Sequence, residues 1–198
     1  MSLVSDVQKA LAGIASTLPD AVRLLEHGAE AGNVIKSSSV EMSGEGVTAS
    51  GAVEKFRVIA KASDFPTLAA DALVTFAEEP HVVTSLRTDP LGASLTIGLS
   101  EPLSRCAASV SGARGSRHIN LPSGLLAVNN GLATDYADGF APVEVYSWTL
   151  CISVDDWLET EAPQIGDVIR FEKNGDQVVK VARCTRRDGF YILNARSR

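Results

Sequence analysis

The chain has 198 residues, of which 45% are hydrophobic and 21% are charged, and its formal net charge is −6. This composition is typical of a folded globular protein with one large domain or two small ones, and it excludes a disordered chain. No stretch approaches the roughly 18 consecutive apolar residues of a membrane helix, and the net acidity argues against a protein that grips nucleic acid over its whole surface.

The N-terminal segment predicts an amphipathic α-helix that ends at Pro19. Its apolar residues lie three and four positions apart and are Leu3, Val7, Leu11, Ile14 and Leu18. The segment contains Asp6 and Lys9 and lacks a basic leader, so it does not have the pattern of a signal peptide. We therefore expect a soluble protein with no membrane association, made in the cytoplasm.

Two strands and a long loop are predicted to follow this helix. Segments 21–28 (AVRLLEHG) and 32–43 (GNVIKSSSVEMS) are rich in β-branched residues and bounded by glycines. The Gly-rich segment Gly44–Gly51 then predicts a flexible loop that is longer than an ordinary hairpin connection. Its candidate docking residues are Gly44, Glu45, Gly46 and Gly51.

Residues 56–99 predict four further strands. The segment that begins at Phe56 alternates between apolar and polar residues, and Leu95, Ile97 and Leu99 share one face of the last strand. Turns are predicted at 78–81 (EEPH) and 88–92 (TDPLG), because Asp-Pro followed by Gly is favourable turn chemistry.

The end of the chain repeats this pattern about 92 to 96 residues later. Phe76 matches Phe171, Val82-Val83 match Val178-Val179, and Arg87 matches Arg183. The repeat predicts a mainly β protein of two small barrels or sandwiches, related by tandem duplication, with one N-terminal α-helix. The predicted domains are residues 1–100, which include the helix, and residues 101–198.

A second Gly-rich loop is predicted in the second half, within 127–145 (AVNNGLATDYADGFAPVEV). Segments 103–112 and 116–122 would provide the strands before it. Its candidate channel or docking residues are Asn130, Gly131, Asp135, Asp138 and Gly139.

No catalytic, cofactor or metal site is predicted. The cysteines Cys106, Cys151 and Cys184 are widely spaced and odd in number, which indicates neither a zinc site nor a disulfide framework. A hydrolase that uses Ser123 and His118 is an alternative without a GxSxG motif. The segment 112–118 (GARGSRH) lacks the spacing of a phosphate-binding loop and is interpreted as an exposed turn.

Three other groups of residues have a structural and a functional interpretation. Asp64 and Asp156 are predicted to bond nearby backbone amides in turns. The aromatic residues are predicted to pack in the core, the alternative being a base-stacking platform; they are Trp148, Trp157, Phe171, Phe190 and Tyr191. Arg186 and Arg187 are predicted at a hairpin tip, as solvated charges or as a contact with an acidic partner.

The C-terminal pattern resembles the small head–tail joining proteins (head-closure, neck or stopper proteins) of tailed bacteriophages. The matching residues are Pro163, Gly166-Asp167, Val179, Val181, Asp188-Gly189 and Leu193. A looser version lies in the first half, at Asp64-Phe65, Leu73, Val83, Leu86, Asp89, Gly92 and Ile97.

The resemblance implies a non-enzymatic virion protein that forms a homo-oligomeric ring in the neck, between portal or adaptor proteins and tail proteins. Ring closure would use exposed strand edges, and the two loops would reach the channel. Their acidic residues, Glu41, Glu45, Asp135 and Asp138, would let DNA pass without sticking. The alternative is a nucleic-acid-binding module on an OB- or SH3-like barrel.

Overall fold

A computed structural model describes residues 22–37, 51–112, 118–135, 143–157, 159, 161–173 and 175–197, together with the single positions 6, 9, 10 and 13. Of the predicted N-terminal helix, only Asp6, Lys9, Ala10 and Gly13 are described; each is helical and exposed, and the rest of that prediction lies outside the described residues. Over the described ranges, the chain contains no helix long and apolar enough to cross a membrane.

The protein is mainly β and divides into two compact units. Unit 1 comprises residues 1–48 and 53–102, and unit 2 comprises residues 49–52 and 103–198. The sequence placed the boundary at residue 100 and did not anticipate that 49–52 would group with the second unit.

Unit 1 is a closed six-stranded antiparallel barrel with the strand order β1-β2-β3-β6-β5-β4. Its strands are β1 (Val22–His27), β2 (Glu30–Lys36), β3 (Phe56–Lys61), β4 (Leu73–Phe76), β5 (Glu79–Thr88) and β6 (Ser94–Leu99). The apolar side chains of the predicted alternation fill the barrel interior. Val58, Ala60, Ile97 and Leu99 point inward and are buried.

Unit 2 is a second closed barrel, ordered β10-β11-β12-β9-β8-β7. Its strands are β7 (Ser104–Ser111), β8 (His118–Asp135), β9 (Val143–Ser153), β10 (Val168–Glu172), β11 (Asp176–Arg187) and β12 (Phe190–Ser197). Read from its first strand, this order runs β7-β8-β9-β12-β11-β10, which is the order of unit 1. Each barrel also has a short 3-10 helix after its third strand, at Ala62–Asp64 and Val154–Asp156.

The two barrels share backbone details that strand order alone does not require. In unit 1 the amide of Asp71 donates to the carbonyl of Val83 (2.9 Å), and Val83 donates back to Ala72 (2.9 Å). In unit 2 the amide of Gly166 donates to the carbonyl of Val181, and the amide of Val181 donates to the carbonyl of Asp167, at 2.8 Å each. Asp71 (φ 63°) and Gly166 (φ 95°) are both left-handed.

A β-bulge follows the hydrogen-bonded valine in each barrel, between Val83 and Ser85 and between Val181 and Arg183. The strands of the two barrels therefore correspond one to one, and Val83 corresponds to Val181. The predicted matches of Val82-Val83 with Val178-Val179 and of Arg87 with Arg183 are wrong by two residues. The reason is the β10–β11 hairpin, which is one residue pair and one loop residue longer than the β4–β5 hairpin.

Each core is built around an aromatic pair at equivalent positions. Phe56 and Phe76 lie with ring centroids 5.4 Å apart in unit 1. Trp148 and Phe171 lie 5.1 Å apart and edge to face in unit 2. Of the five aromatic residues considered as a base-stacking platform, four are buried, namely Trp148, Trp157, Phe171 and Tyr191; Phe190 is half-buried. The prediction of core packing is confirmed for these four.

Candidate functional site

The second predicted loop is for the most part a strand pair. Asn130, Gly131 and Asp135 lie in β8, which pairs with β9 as far as Asp135 opposite Val143. The prediction was wrong because Gly131 (φ +88°) is a bulge glycine, with its amide donating to the Asn129 side chain at 2.8 Å. Asp138 and Gly139 lie outside the described residues.

The end of this strand pair forms an arm, which we define as Gly131–Asp135 together with Val143–Ser147. Strand β7 pairs with β8 only as far as Ala127, and β12 reaches β9 only as far as Tyr146. The arm therefore continues the barrel wall past its neighbouring strands. This leaves the outer strand edges of Gly131–Asp135 and of Val143–Val145 without a ladder partner in the described part of the chain, while Tyr146 and Ser147 still pair with β12.

The arm also presents apolar side chains to solvent. Leu132 and Tyr146 are directly opposite each other in the β8–β9 ladder. Leu132 is 60% exposed and Tyr146 is 49% exposed. Leu132 and Tyr146 thus form an exposed apolar pair at the base of the arm, three residue pairs before its described end, and such a pair is a candidate interaction surface.

A second surface lies on the outside of β10, β11 and β12, and we call it the basic face. It consists of Arg170, Val178, Lys180, Arg183 and Arg196. Lys180 is directly opposite Arg196, and Arg170 is opposite Val178, which is 47% exposed. The basic face thus places an exposed apolar residue beside cations, and Glu172 and Asp176 lie on the same outer side, two positions along from Arg170 and Val178.

The predicted contact residues Arg186 and Arg187 end β11, next to the Asp188-Gly189 turn. Both turn residues are left-handed, with φ of 49° and 79°, as a two-residue hairpin turn requires. Arg186 lies 5.9 Å from the centroid of the Tyr191 ring. The predicted position at a hairpin tip is therefore confirmed, while the partner contact stays a prediction.

The first predicted loop is described only at its end. Gly44, Glu45 and Gly46 lie outside the described residues. Gly51 (φ +76°) packs on unit 2, where an added Cβ would overlap the side-chain amide of Asn194. Both the backbone conformation and this close approach require glycine at position 51, so Gly51 has a packing role.

The hydrolase candidates lie in separate hydrogen-bonded pairs. Ser123 donates to the Asp156 carboxylate at 2.8 Å, and His118 Nδ1 lies 3.3 Å from the Ser111 hydroxyl. A serine nucleophile needs the imidazole between itself and the acid, and here the acid holds the serine directly. Asp156 thus does not have the predicted role of bonding a backbone amide, and the cap of its 3-10 helix is Ser153. Asp64 instead bonds the Ser63 hydroxyl at 3.3 Å.

The cysteines have the properties of packing residues. Burial raises the pKa of Cys106, and burial together with the charge of Asp167 raises the pKa of Cys184 to about 11. A reactive thiol needs a lowered pKa. Among the described residues, no group of three or more His, Cys, Asp or Glu side chains is arranged to hold a metal ion. Of the 112–118 turn, residues 113–117 lie outside the described residues.

A pocket of about 360 Å³ in unit 1 was not anticipated from the sequence. Its apolar lining includes Phe56 and Phe76, both near His81, and Arg23 and Lys36 are at its rim. His81 is 2% exposed, and its Nδ1 donates to the Ser100 carbonyl at 2.8 Å. Burial lowers the pKa of His81. The only sequence signal was an isolated histidine in an apolar strand.

The residues that carry the resemblance to head–tail joining proteins build the barrels. Gly166 provides the left-handed residue before β10, and Asp167 is buried and accepts a hydrogen bond from the Gln164 amide at 2.8 Å. Val179, Val181 and Leu193 are core residues. In unit 1, Asp89 accepts hydrogen bonds from Ser94 and from the amide of Leu91, and these bonds, those of Ser94 first, lower the pKa of Asp89. The motif is therefore a signature of the fold.

Comparisons with known proteins add little. No family model and no curated protein matches the chain. Among solved structures, the chain is similar to an inactive mutant of Rv3671c from M. tuberculosis H37Rv, with 13% identity over 92% of this chain and 84% of that chain. The TM-score is 0.27, and at this value the likeness carries no argument about fold or activity.

Proposed function

We propose that the protein is a non-enzymatic structural component of a phage-like particle, and that copies of it form a ring in the neck between portal or adaptor proteins and tail proteins. The observation that carries the proposal is the use of the resemblance motif. Two of its core residues in unit 1, Val83 and Ile97, have the same ladder positions as Val181 and Leu193 in unit 2. Gly166-Asp167 in unit 2 and Asp71-Ala72 in unit 1 make the same pair of backbone hydrogen bonds to the bulged strand.

We further propose that the two barrels arose by tandem duplication of one head–tail joining domain, preceded by an N-terminal helix. The shared strand order supports this duplication, but closed six-stranded barrels are common enough to arise independently. The shared bulge after Val83 and Val181 and the shared left-handed residue at Asp71 and Gly166 are better support, because bulges are retained within families as designed features.

Closed barrels change the expected assembly mechanism. Ring closure by adding strands needs an open sheet edge; both barrels close on themselves, so in the described part of the chain the arm is where β8 and β9 keep unpaired edges. The proposed subunit contacts are therefore the outer barrel faces and the arm. The acidic residues Glu41 and Glu45, in the segment that precedes Gly51, remain the proposed lining past which DNA moves without sticking.

The alternative, a nucleic-acid-binding barrel module, is favoured by the basic face alone. Phosphate contacts by Arg170, Lys180, Arg183 and Arg196 would produce binding that weakens steeply with salt. Base stacking has less support, because the candidate aromatic residues are buried.

Affinity purification from cells that produce the natural particle tests the proposal. The tagged chain should recover portal, adaptor or tail proteins in stoichiometric amounts, identified by mass spectrometry. A variant with Gly166→Val, which disrupts the left-handed turn, serves as the misfolded control and should recover none. Recovery of nucleic acid without any virion protein would reject the neck function in favour of the barrel module.

A further inference from the structure

We propose that one end of the unit 1 barrel, which we call the mouth, binds a small carboxylate with a flat apolar body, such as an aromatic acid. The site is the pocket of about 360 Å³ near Phe56 and His81. Its volume lies in the range of small-molecule sites, and the mouths of β-barrels are common places for such sites. The inference concerns unit 1 by itself and does not rest on the neck function.

The pocket is formed where strands of unit 1 start and end side by side. Six of its lining residues come from the starts of β1, β3 and β5 and the ends of β2 and β4, and neighbouring strands are antiparallel. Side chains alternate along a strand, and each of the six lies two or four positions from a core residue of its own strand. They therefore point into the mouth. The six residues are Arg23, Lys36, Phe56, Phe76, Glu79 and His81, and the core residues are Leu25, Val34, Val58, Val74 and Val83.

Three polar residues of the mouth lie at positions where unit 2 has core residues. The two barrels share one topology, so a comparison of their ladders separates what the fold requires from what one barrel adds. In place of Arg23, Lys36 and His81, unit 2 has Cys106, Ala127 and Val179 respectively, all in its core cluster. The architecture therefore does not require polar side chains at these positions.

The aromatic pair leaves more room in unit 1 than in unit 2. Phe56 corresponds to Trp148, whose larger indole packs on Phe171 with the ring centroids 5.1 Å apart. In unit 1 the Phe56 and Phe76 rings line the pocket, and the His81 ring lies 5.5 and 6.0 Å from them. Aromatic walls of this kind favour a flat apolar group, which can stack or pack edge to face on them.

The charged residues of the mouth favour an anion. Its described lining has two exposed cations, Arg23 and Lys36, and one exposed carboxylate, Glu79. Neither cation makes an ion pair in the described part of the chain. Arg23 donates to the Val22 carbonyl at 2.8 Å, and the Lys36 ammonium lies 4.6 Å from the centroid of the Phe56 ring. Because this ammonium already covers the aromatic wall, it would repel a cationic ligand and attract a carboxylate.

His81 adds a polar group one inward position deeper than Glu79. Its Nδ1 donates to the Ser100 carbonyl, so Nε2 carries the lone pair of the ring. Nε2 is buried and has no hydrogen-bond partner in the part of the chain that the structure describes. A buried polar atom without a partner costs stability, and Val179 shows that the barrel can be built without it. The histidine is therefore a feature of the pocket and not of the fold.

Isothermal titration calorimetry on the full-length chain tests the site with three probes of nearly the same shape. They are naphthalene-2-carboxylate, the neutral naphthalene-2-carboxamide and the cationic 2-naphthylmethylammonium. We expect the carboxylate to bind with a Kd below about 1 mM, and about 3- to 10-fold more tightly than either of the other probes. This order would show that the mouth selects an anion.

Removal of the two cations tests whether the selectivity comes from the mouth. The double change Arg23→Gln with Lys36→Gln should weaken carboxylate binding about 3- to 10-fold, to the affinity of the carboxamide, and leave carboxamide binding unchanged. The matched control is Lys61→Gln with Arg87→Gln, which removes the same two residue types from the opposite end of the same barrel. This control should bind all three probes as the wild type does.

Phe56→Trp tests whether the pocket is the site. It gives the mouth the residue that occupies the equivalent position in unit 2, and binding of the carboxylate should be lost. Far-UV circular dichroism and the denaturation midpoint check that this variant is folded. The cation variants alter exposed side chains only, so they test the site even when Phe56→Trp does not fold.

Four outcomes would overturn the proposal. One is a carboxylate Kd above about 1 mM, and another is equal or tighter binding of the carboxamide or the ammonium. The third is a control variant that loses as much affinity as the Arg23→Gln, Lys36→Gln variant, which would mean that overall charge and not the mouth attracts the probe. The fourth is undiminished binding in a folded Phe56→Trp variant. Recovery of virion proteins is a separate measurement, so the neck function can hold when this site fails.

Discussion

The two barrels have the same topology but differ in what they expose. Among the residues that the structure describes, unit 1 pairs its second and third strands at two positions, Ile35 with Ile59 and Lys36 with Val58. Unit 2 pairs the equivalent strands at nine positions and extends them into the arm. Unit 1 instead has the pocket near Phe56 and His81. One architecture, used twice, thus supports a projecting surface in one copy and a concave one in the other, because function resides in sites built on a fold.

Truncation of the aromatic core pair should have the largest effect and should separate the barrels. Trp148→Ala removes a buried side chain and is expected to cost about 3–5 kcal/mol of the free energy of unfolding. Phe56→Ala removes a half-buried one and is expected to cost about 1–2 kcal/mol. Denaturant unfolding followed by far-UV circular dichroism measures both.

Trp148→Phe makes the comparison sharper, since it gives unit 2 the residue type of unit 1. The indole N–H of Trp148 is buried and has no hydrogen-bond partner in the described part of the chain. The substitution removes this unpaired donor and is expected to cost less than about 1.5 kcal/mol. A cost equal to that of Trp148→Ala would show that the edge-to-face packing on Phe171 depends on the full indole.

The left-handed residue before the fourth strand of unit 2 should give the next largest effect. Gly166→Ala places a Cβ at φ 95° and is expected to destabilise unit 2 by about 1–2 kcal/mol. The denaturation midpoint at constant m-value measures the change. An unchanged midpoint would contradict a requirement for glycine at this turn.

The sequence predicted the strands better than it predicted how they meet. Alternation located β3, β6 and β9, because one face of each strand is buried and the other is not. The register of the repeat was wrong by two residues, since the length of the β10–β11 hairpin is set by a turn that alternation does not report. The sequence did not distinguish closed barrels from sandwiches. Closure depends on pairing between β1 and β4 and between β7 and β10, and these strands are far apart in the chain.

Glycine was the least reliable signal for the candidate site. Gly131 and Gly51 were both interpreted as loop residues, and both have positive φ. One of them is a bulge inside a ladder and the other is a close approach to Asn194. A positive φ favours glycine in a loop, in a bulge and at a close backbone approach alike, so the residue type alone does not separate a loop from a bulge. The exposure of Leu132 and Tyr146 follows from where β7 and β12 end, which is a property of the tertiary structure.

His81 should make the stability of unit 1 depend on pH in a way that unit 2 does not share. Burial lowers the pKa of His81 in the folded protein, against the opposing effects of the Ser100 carbonyl and Glu79. As the pH falls, the unfolded chain therefore takes up a proton near the ordinary histidine pKa of about 6.5, which is a higher pH than the folded chain requires. The associated stability is present above that pH and is lost as the pH falls toward the lowered folded-state pKa.

Replacement of His81 by the residue of unit 2 isolates this effect. The equivalent position in unit 2 is Val179, which is buried. His81→Val should flatten the dependence of unfolding free energy on pH between about 6.5 and the lowered folded-state value. His118→Ala, at an exposed position of unit 2, is the control and should leave the dependence as it is in the wild type. An unchanged slope in His81→Val would assign the pH dependence to another group.

Ser123→Ala should have the smallest effect on the free energy of unfolding, and this variant tests whether Ser123 is a nucleophile. Ser123 is exposed, and its hydroxyl donates to Asp156 without a histidine between them, so the change is expected to lie within about 0.5 kcal/mol of wild type in unfolding free energy. A serine-directed fluorophosphonate probe should label the wild type and Ser123→Ala equally weakly. Stoichiometric labelling that disappears in Ser123→Ala would mean that the hydroxyl is activated in solution. The pairing with Asp156 would then be only one of its states, and a hydrolytic function would replace the structural one.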